Sequence, residues 1–124
     1  MNTVKTGSCI VERDRAEKSI KNPKFLSKFF SPQELKYHMK THFSGDRIVK
    51  AFCCKLAFKR AMGCNFNGCK LNEVSVLADV MDDPYISLSG NAKLKFEREN
   101  LGCSVSTCSS RHSAMAVVIL YSKS

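Results

Sequence analysis

Apolar and polar residues follow two different spacings along this chain, and the spacing predicts where strands and helices lie. Val4 to Val11 is an apolar run of strand length, and Glu12 to Ile20 follows with helical spacing. Ser31 to Glu34 has a capping serine, a proline at the first helical position and a glutamate three residues after the cap, which predicts a helix start. Apolar residues then recur at helical spacing from Asp46 to Gly63, which predicts a long helix that ends at the glycine.

The second half of the chain is predicted to be mostly strands. Four segments have the length and apolar pattern of strands: Val74 to Val80, Tyr85 to Leu88, Cys103 to Cys108 and Ala114 to Tyr121. Between the two pairs, Ser89 is positioned to cap a helix from Asn91 to Glu99. This order of elements predicts one α+β domain over residues 1–124, with a helical layer packed on a mostly antiparallel sheet.

The positive net charge of +9 comes from the first half of the chain. Residues 1–60 hold 14 Lys and Arg against 5 Asp and Glu, whereas residues 61–124 hold 6 against 6. Such an excess favours an acidic partner: nucleic acid, an anionic membrane, an acidic protein or a polyphosphate cofactor. A merely solvated basic surface is the alternative. We consider nucleic acid the weakest candidate, because the sequence has no recognised nucleic-acid motif and no tryptophan.

The sequence shows no run of 18 apolar residues and no charged-then-apolar leader, so we expect no membrane span and a cytoplasmic location. There the seven cysteines are expected to be reduced thiols, several of them small core residues. Two cysteine pairs have four intervening residues: Cys64 with Cys69, and Cys103 with Cys108. They leave zinc open but lack the usual two-residue spacing. His38 and His42 share a helix face, and we predict that they form a solvated helix end.

Six motifs resemble, in order, those of the holo-acyl-carrier-protein synthase family. They are Gly7 to Glu12, Phe29 to Leu35, Phe52 to Gly63, Leu88 to Ala92, Ser104 to Ser109 and Ala114 to Leu120. The Phe52 to Gly63 segment resembles the family helix F-A-A-K-E-A-F-x-K-A-x-G most closely. The resemblance runs from about Gly7 to Leu120. It implies the 4'-phosphopantetheinyl transferase-like fold and a homotrimer with active sites between subunits.

The resemblance also implies an activity and the residues that perform it. Family members transfer 4'-phosphopantetheine from coenzyme A to a serine of an acyl carrier protein, with Mg2+. By resemblance, Lys55 and Ser106 are the candidate catalytic residues and also contact coenzyme A, and Lys50 is a further coenzyme A contact. A solvated helix lysine is the alternative interpretation of Lys55.

The carrier-protein face is implied by a second group of residues. Arg15, Lys24 and Phe25 fall on positions with which the family binds its acidic carrier protein, and Lys21 lies close to them. Arginine suits this role because its guanidinium can bind carboxylate pairs. The basic first half of the chain supports an acidic partner independently of the motifs.

The chain departs from the family at the metal ligands. Cys9 and Leu56 occupy the places of the aspartate of G-x-D-I-V-E and the glutamate of F-A-A-K-E, and neither is a suitable Mg2+ ligand. Glu12 is a conceivable substitute ligand, or an ordinary carboxylate at a helix start. Ser104 and Ser109 replace the two histidines of H-V-S-I-S-H. Two hypotheses follow: a phosphopantetheinyl transferase, or an inactive relative that binds carrier protein or coenzyme A as a regulatory or scaffolding subunit.

Overall fold

The computed structural model describes residues 4–40, 45–81 and 83–123. Within these ranges the helices are α1 Arg13–Ile20, α2 Pro23–Phe29, α3 Pro32–Lys40, α4 Gly45–Met62 and α5 Gly90–Arg98, with 3-10 turns at Gly63–Phe66 and Leu71–Glu73. The strands are β1 Val4–Glu12, β2 Val74–Ala78, β3 Pro84–Leu88, β4 Leu101–Ser109 and β5 Ser113–Ser122. The predicted α+β order is confirmed. No helix in the described ranges is both long and apolar enough to cross a bilayer.

A three-stranded antiparallel sheet carries α4 on one face. Its strand order is β1-β5-β4, so β5 is central. Alternate residues of β5 are buried against the helix: Ala114, Ala116, Val118 and Leu120. Gly7 of β1 makes the closest approach, since a Cβ there would lie 2.1 Å from the carbonyl oxygen of Ala57. At the far end of α4, Gly63 adopts a φ of +59°, and the helix ends there as predicted.

The remaining strands, β2 and β3, form a separate antiparallel hairpin. The single sheet that we predicted is therefore two sheets. Strand β2 ends at Ala78 rather than Val80, because Asp79 turns the chain back. The Asp79 carboxylate accepts the backbone N–H groups of Met81 and Asp83 at 2.9 and 3.0 Å. A side chain that takes up these amides favours a turn over further strand pairing.

Serine lies at the N-cap of both α3 and α5, but it caps only one of them with its side chain. The predicted box at α3 is confirmed: the Ser31 hydroxyl accepts the N–H of Glu34 at 3.1 Å, and the N–H of Ser31 donates to the Glu34 carboxylate at 3.0 Å. Ser89 makes no side-chain cap at α5. The carboxylate of Glu73 takes that place and accepts the N–H of Asn91 at 2.7 Å.

Candidate active site

Lys55, the lysine of the family-like helix, lies in the protein core. Its side chain is fully buried and its ammonium group pairs with the equally buried carboxylate of Glu34. It also donates to the backbone carbonyls of Leu71, at 3.1 Å, and Val74. The interpretation of Lys55 as a solvated helix lysine is therefore wrong, because the ammonium has exchanged water for three protein acceptors.

Glu34 joins this lysine to two other elements. One carboxylate oxygen accepts from Lys55 and from the N–H of Ser31, and the other accepts the N–H of Val76 at 2.9 Å. Burial raises the pKa of Glu34 and lowers the pKa of Lys55, and their mutual attraction opposes both shifts. The pair connects α3, α4 and β2 and is costly to break on one side only.

Ser106, the other candidate catalytic residue, lies on the opposite side of the main sheet from Lys55. It is exposed on β4 and pairs in register with Val117, whose neighbours Ala116 and Val118 point into the core. Within one copy of the chain the structure does not bring Ser106 and Lys55 together.

A cleft opens beside the first half of α4, between α3, the β2–β3 hairpin and β4. Tyr37, Arg47, Lys50, Pro84 and Thr107 are among the residues that line it. The Arg47 guanidinium donates to the Tyr37 hydroxyl at 3.2 Å. Two cationic groups beside an aromatic ring and an apolar wall are suited to a phosphate-bearing aromatic ligand.

His38 forms part of the wall of this cleft, and our prediction of a solvated helix end is wrong for it. The residue is 3% exposed and packs edge-on against Phe30 and Tyr37. Burial, with the nearby charges of Arg47 and Lys55, lowers the pKa of His38 to about 4. The imidazole is therefore neutral near pH 7. His42 lies outside the described residues.

Lys50 takes part in a charged cluster at the start of α4. Asp46 accepts from the Ser109 hydroxyl at 2.8 Å and pairs with Lys50 at 3.2 Å and with Arg13 at 3.5 Å. Partial burial acts to raise the pKa of Asp46. The Ser109 hydrogen bond and the two cations act in the opposite direction and outweigh burial, so the pKa of Asp46 is below its ordinary value. Ser109, at the place of a family histidine, thus ties β4 to α4.

The residues at the family's metal position do not fit Mg2+. Cys9 is 4% exposed, and its carbonyl already accepts the thiol of Cys53 at 3.0 Å. Burial raises the pKa of the Cys53 thiol to about 12, so no thiolate is available there. Leu56 has no donor atom, and Glu12 is an exposed residue at the N-cap of α1. Across residues 4–40, 45–81 and 83–123, no three His, Cys, Asp or Glu side chains are grouped to hold an ion.

The predicted carrier-protein residues lie together on α1 and α2. Arg15 on α1, Lys21 at its end and Lys24 on α2 are exposed. Phe25 is half-buried, with its ring centroid 4.7 Å from that of Phe29 and 5.2 Å from that of Phe52. A half-buried aromatic ring that packs on α4, on a helix pair that carries exposed cations, has the composition of a protein-binding surface.

Sequence reasoning missed the partner of Lys55 and the residues around Lys50. A signal existed for Lys55, because it lies four residues after buried Ala51 and three before buried Phe58, which places it on the same apolar helix face. A lysine on such a face requires a buried acceptor. Tyr37, Arg47 and Asp46 carried no comparable signal, since ordinary surface helix residues have the same pattern.

Comparison with known proteins agrees with this architecture. No family model matches the sequence. The chain is 33% identical to the holo-[acyl-carrier-protein] synthase of Clostridium botulinum over 115 residues, which cover 92% of this chain and 94% of that protein. The holo-[acyl-carrier-protein] synthase of Neisseria meningitidis has the same fold, with a TM-score of 0.84 at 20% identity over 94% of this chain and 96% of that one. The Helicobacter pylori synthase, solved in complex with coenzyme A, gives a TM-score of 0.75 at 27% identity, over 93% of this chain and 98% of that one.

These matches confirm the family that the motifs predicted. The chain belongs to the holo-[acyl-carrier-protein] synthase family and has its 4'-phosphopantetheinyl transferase-like fold.

Proposed function

We propose that the chain transfers 4'-phosphopantetheine from coenzyme A to a serine of an acyl carrier protein, in the cytoplasm. The observation that carries this proposal is the 33% identity, over nearly its whole length, to a holo-[acyl-carrier-protein] synthase. Coenzyme A is the substrate that fits, because the Helicobacter pylori relative was solved with that molecule bound. The chemistry is attack of the carrier serine hydroxyl on the β-phosphate, with the carrier phosphodiester formed and 3',5'-ADP released.

The cleft beside Arg47 and Lys50 is the proposed site for the nucleotide end of coenzyme A. Arg47 can present its guanidinium to a phosphate, and Lys50 can do so from the rim, where Asp46 now holds it. Thr107 supplies a hydroxyl from β4. A direct contact of Lys55 with coenzyme A stays a prediction, and it requires the ammonium to leave Glu34. As the structure stands, we assign Lys55 to positioning α4.

We propose that the active form is a homotrimer that buries the outer face of the main sheet. The side of this sheet that faces away from α4 exposes several large apolar side chains: Val4, Ile10, Met115, Ile119 and Tyr121. Large exposed apolar side chains grouped on one sheet face are typical of a contact between copies. Ser106 lies on this same face, so a role at a site shared between copies is compatible with its position. Ile119→Glu is expected to reduce the mass measured by light scattering from three copies to one.

A second candidate function is favoured by the metal position. Because Cys9 and Leu56 replace both family carboxylates, the chain is alternatively an inactive relative that binds carrier protein or coenzyme A as a regulatory or scaffolding subunit. Both functions use the basic face of α1 and α2.

Mass spectrometry separates the two functions. The chain is incubated with coenzyme A, Mg2+ and apo-carrier protein, and the carrier is weighed. A gain of one phosphopantetheine supports transfer and excludes the inactive relative. No gain, together with carrier binding that falls at least tenfold in Arg15→Glu but not in Arg111→Glu, supports the inactive relative. Arg111 is an exposed arginine outside the carrier face, so it serves as the matched control.

A further inference from the structure

One carboxylate lies between the cleft proposed for the nucleotide and the helix that begins the carrier face. Asp46, in the first turn of α4, presents its two oxygens to different cations. Its Oδ2 pairs with the Lys50 ammonium at 3.2 Å, and Lys50 lines the cleft. Its Oδ1 pairs with the guanidinium of Arg13 at 3.5 Å, and Arg13 is the first residue of α1, which also carries Arg15. Asp46 therefore contacts both regions at once.

A hydrogen bond fixes this carboxylate between the two cations. Ser109, the last residue of β4, donates its hydroxyl to Oδ1 of Asp46 at 2.8 Å. The side chains of Arg13, Lys50 and Asp46 are 23%, 31% and 35% exposed, so solvent screens their charges only in part. Charges that share partners in such a network interact more strongly than isolated surface pairs do.

Arg13 anchors the start of α1. Its backbone N–H donates to the His112 carbonyl at 2.9 Å, and its guanidinium donates to the Ser110 carbonyl at 2.9 Å. Helix α1 has only eight residues and no side-chain cap, so it depends on anchors of this kind. A cation in the first turn opposes the helix dipole, and the carboxylates of Glu17 and Asp46 offset it. The pair between Arg13 and Asp46 therefore helps to set how firmly α1 is held.

We propose that Asp46 is a positioning residue that couples the nucleotide cleft to the carrier face. A phosphate group bound in the cleft draws the Lys50 ammonium away from Oδ2 of Asp46. Among the residues that the structure describes, Arg13 is then the cation left on this carboxylate, and the pair between α1 and α4 tightens. The nucleotide thus raises the affinity for the carrier protein because it stiffens the helix that the carrier contacts. The coupling rests on the proposed function, which supplies both ligands.

A purely structural role for the network is the alternative. Asp46 then holds α1 and α4 together equally well with and without a nucleotide, and its loss weakens carrier binding by the same factor in both conditions. Only the response to the ligand separates the two roles.

The test measures how a nucleotide changes carrier binding. The whole chain is titrated calorimetrically with apo-carrier protein, with and without saturating 3',5'-ADP, which has no phosphopantetheine to transfer. We expect 3',5'-ADP to tighten carrier binding by about threefold or more in the wild type. It should leave the affinity of Asp46→Asn unchanged. The matched control, Glu97→Gln, removes the same charge from an exposed position on α5 and should keep the full effect.

A second variant tests the coupling without altering the first turn of α4. In Lys50→Gln no cation is drawn from Asp46, so saturating 3',5'-ADP should not tighten carrier binding even though more of it is needed for saturation. Deuterium exchange supplies a readout that needs no carrier protein. The α1 amides should exchange more slowly with 3',5'-ADP in the wild type, but not in Asp46→Asn or Lys50→Gln.

The outcomes distinguish this coupling from the proposed function. If both ligands bind and 3',5'-ADP changes carrier affinity equally in the wild type, Asp46→Asn and Lys50→Gln, the proposed function stands and the coupling is refuted. The same conclusion follows if 3',5'-ADP leaves the carrier affinity of the wild type unchanged or weakens it. If the wild type binds neither 3',5'-ADP nor carrier protein, the proposed function fails and the coupling fails with it.

Discussion

Two adjacent residues of α4, Lys55 and Leu56, define two contrasting regions of this protein. Lys55 keeps the family's residue and lies fully buried in an ion pair that joins α3, α4 and β2. Leu56 stands at the place of the family's glutamate, is half-buried and packs against the core. The fold is intact around both. A charge on which several elements depend is therefore present at Lys55, whereas the position of the expected metal ligand is apolar and the fold is the same.

The contrast has an energetic basis. Removing one member of a buried pair leaves the other charge without a partner in a poorly solvated environment. Removing a carboxylate near the surface leaves nothing unpaired, and an apolar substitute adds packing. The first position constrains the fold, and the second constrains only the ligand.

The largest effect is expected at the buried pair. Glu34→Ala should lower the free energy of unfolding by about 3–5 kcal/mol, because Lys55 and the N–H of Val76 lose their acceptor. Urea denaturation followed by circular dichroism measures this change. The double variant Glu34→Leu/Lys55→Met, with no charge left in the core, should recover most of the loss. A loss below about 1 kcal/mol in the single variant would remove the distinction between the two regions.

The neighbouring histidine sharpens the comparison through pH. Burial lowers the pKa of His38 to about 4, against the ordinary value of 6.5, so between about pH 6.5 and pH 4 the unfolded chain binds this proton more readily than the native chain. The stability contributed by neutral His38 is complete above pH 6.5 and is lost as the pH falls to about 4, by about 3 kcal/mol. Subtracting the urea stability curve of His38→Gln from that of the wild type isolates this term. Identical pH slopes for the two proteins would contradict it.

Restoring the lost carboxylates tests the other region. In Cys9→Asp/Leu56→Glu, Mg2+ at 100 times its Kd should raise the free energy of unfolding by about 2.7 kcal/mol, because the ion compensates a newly buried carboxylate. The wild type and both single variants should respond much less. Thermal unfolding in Mg2+ and in EDTA gives the comparison. An equal Mg2+ response in the wild type would mean that Cys9 and Leu56 do not decide metal binding.

The smallest expected difference separates the two N-cap serines. Ser31→Ala should cost about 1 kcal/mol, because its hydroxyl caps α3 beside the buried pair. Ser89→Ala should change stability by less than about 0.5 kcal/mol, because Glu73 caps α5 instead. Thermal melts of the two variants provide the measurement, and equal losses would show that the cap at α3 gains nothing from its connection to the core.

Local patterns predicted most of the elements but few of the contacts between them. The Ser31–Glu34 box and the glycine end of α4 were predicted because residues close in sequence determine them. The Lys55–Glu34 pair joins residues 21 positions apart, so no local spacing reveals it. The division into two sheets and the burial of His38 likewise depend on how distant elements pack. The family motifs predicted a metal position, and in the structure Cys9 is buried and Leu56 has no donor atom.

The hydrogen bonds of Glu34 have a consequence for folding cooperativity. The Glu34 carboxylate accepts hydrogen bonds from the backbone N–H groups of Ser31 and Val76 and from the Lys55 ammonium on α4. Val76 lies 42 residues further along the chain than Glu34. The first turn of α3 therefore cannot open by local fraying without also releasing β2 and exposing a buried charge. We expect the amides of Ser31 and Val76 to exchange with solvent deuterium only when the whole unit unfolds, at a common slow rate. A helix start, usually the first part of a helix to fray, is here among the last parts of the protein to open.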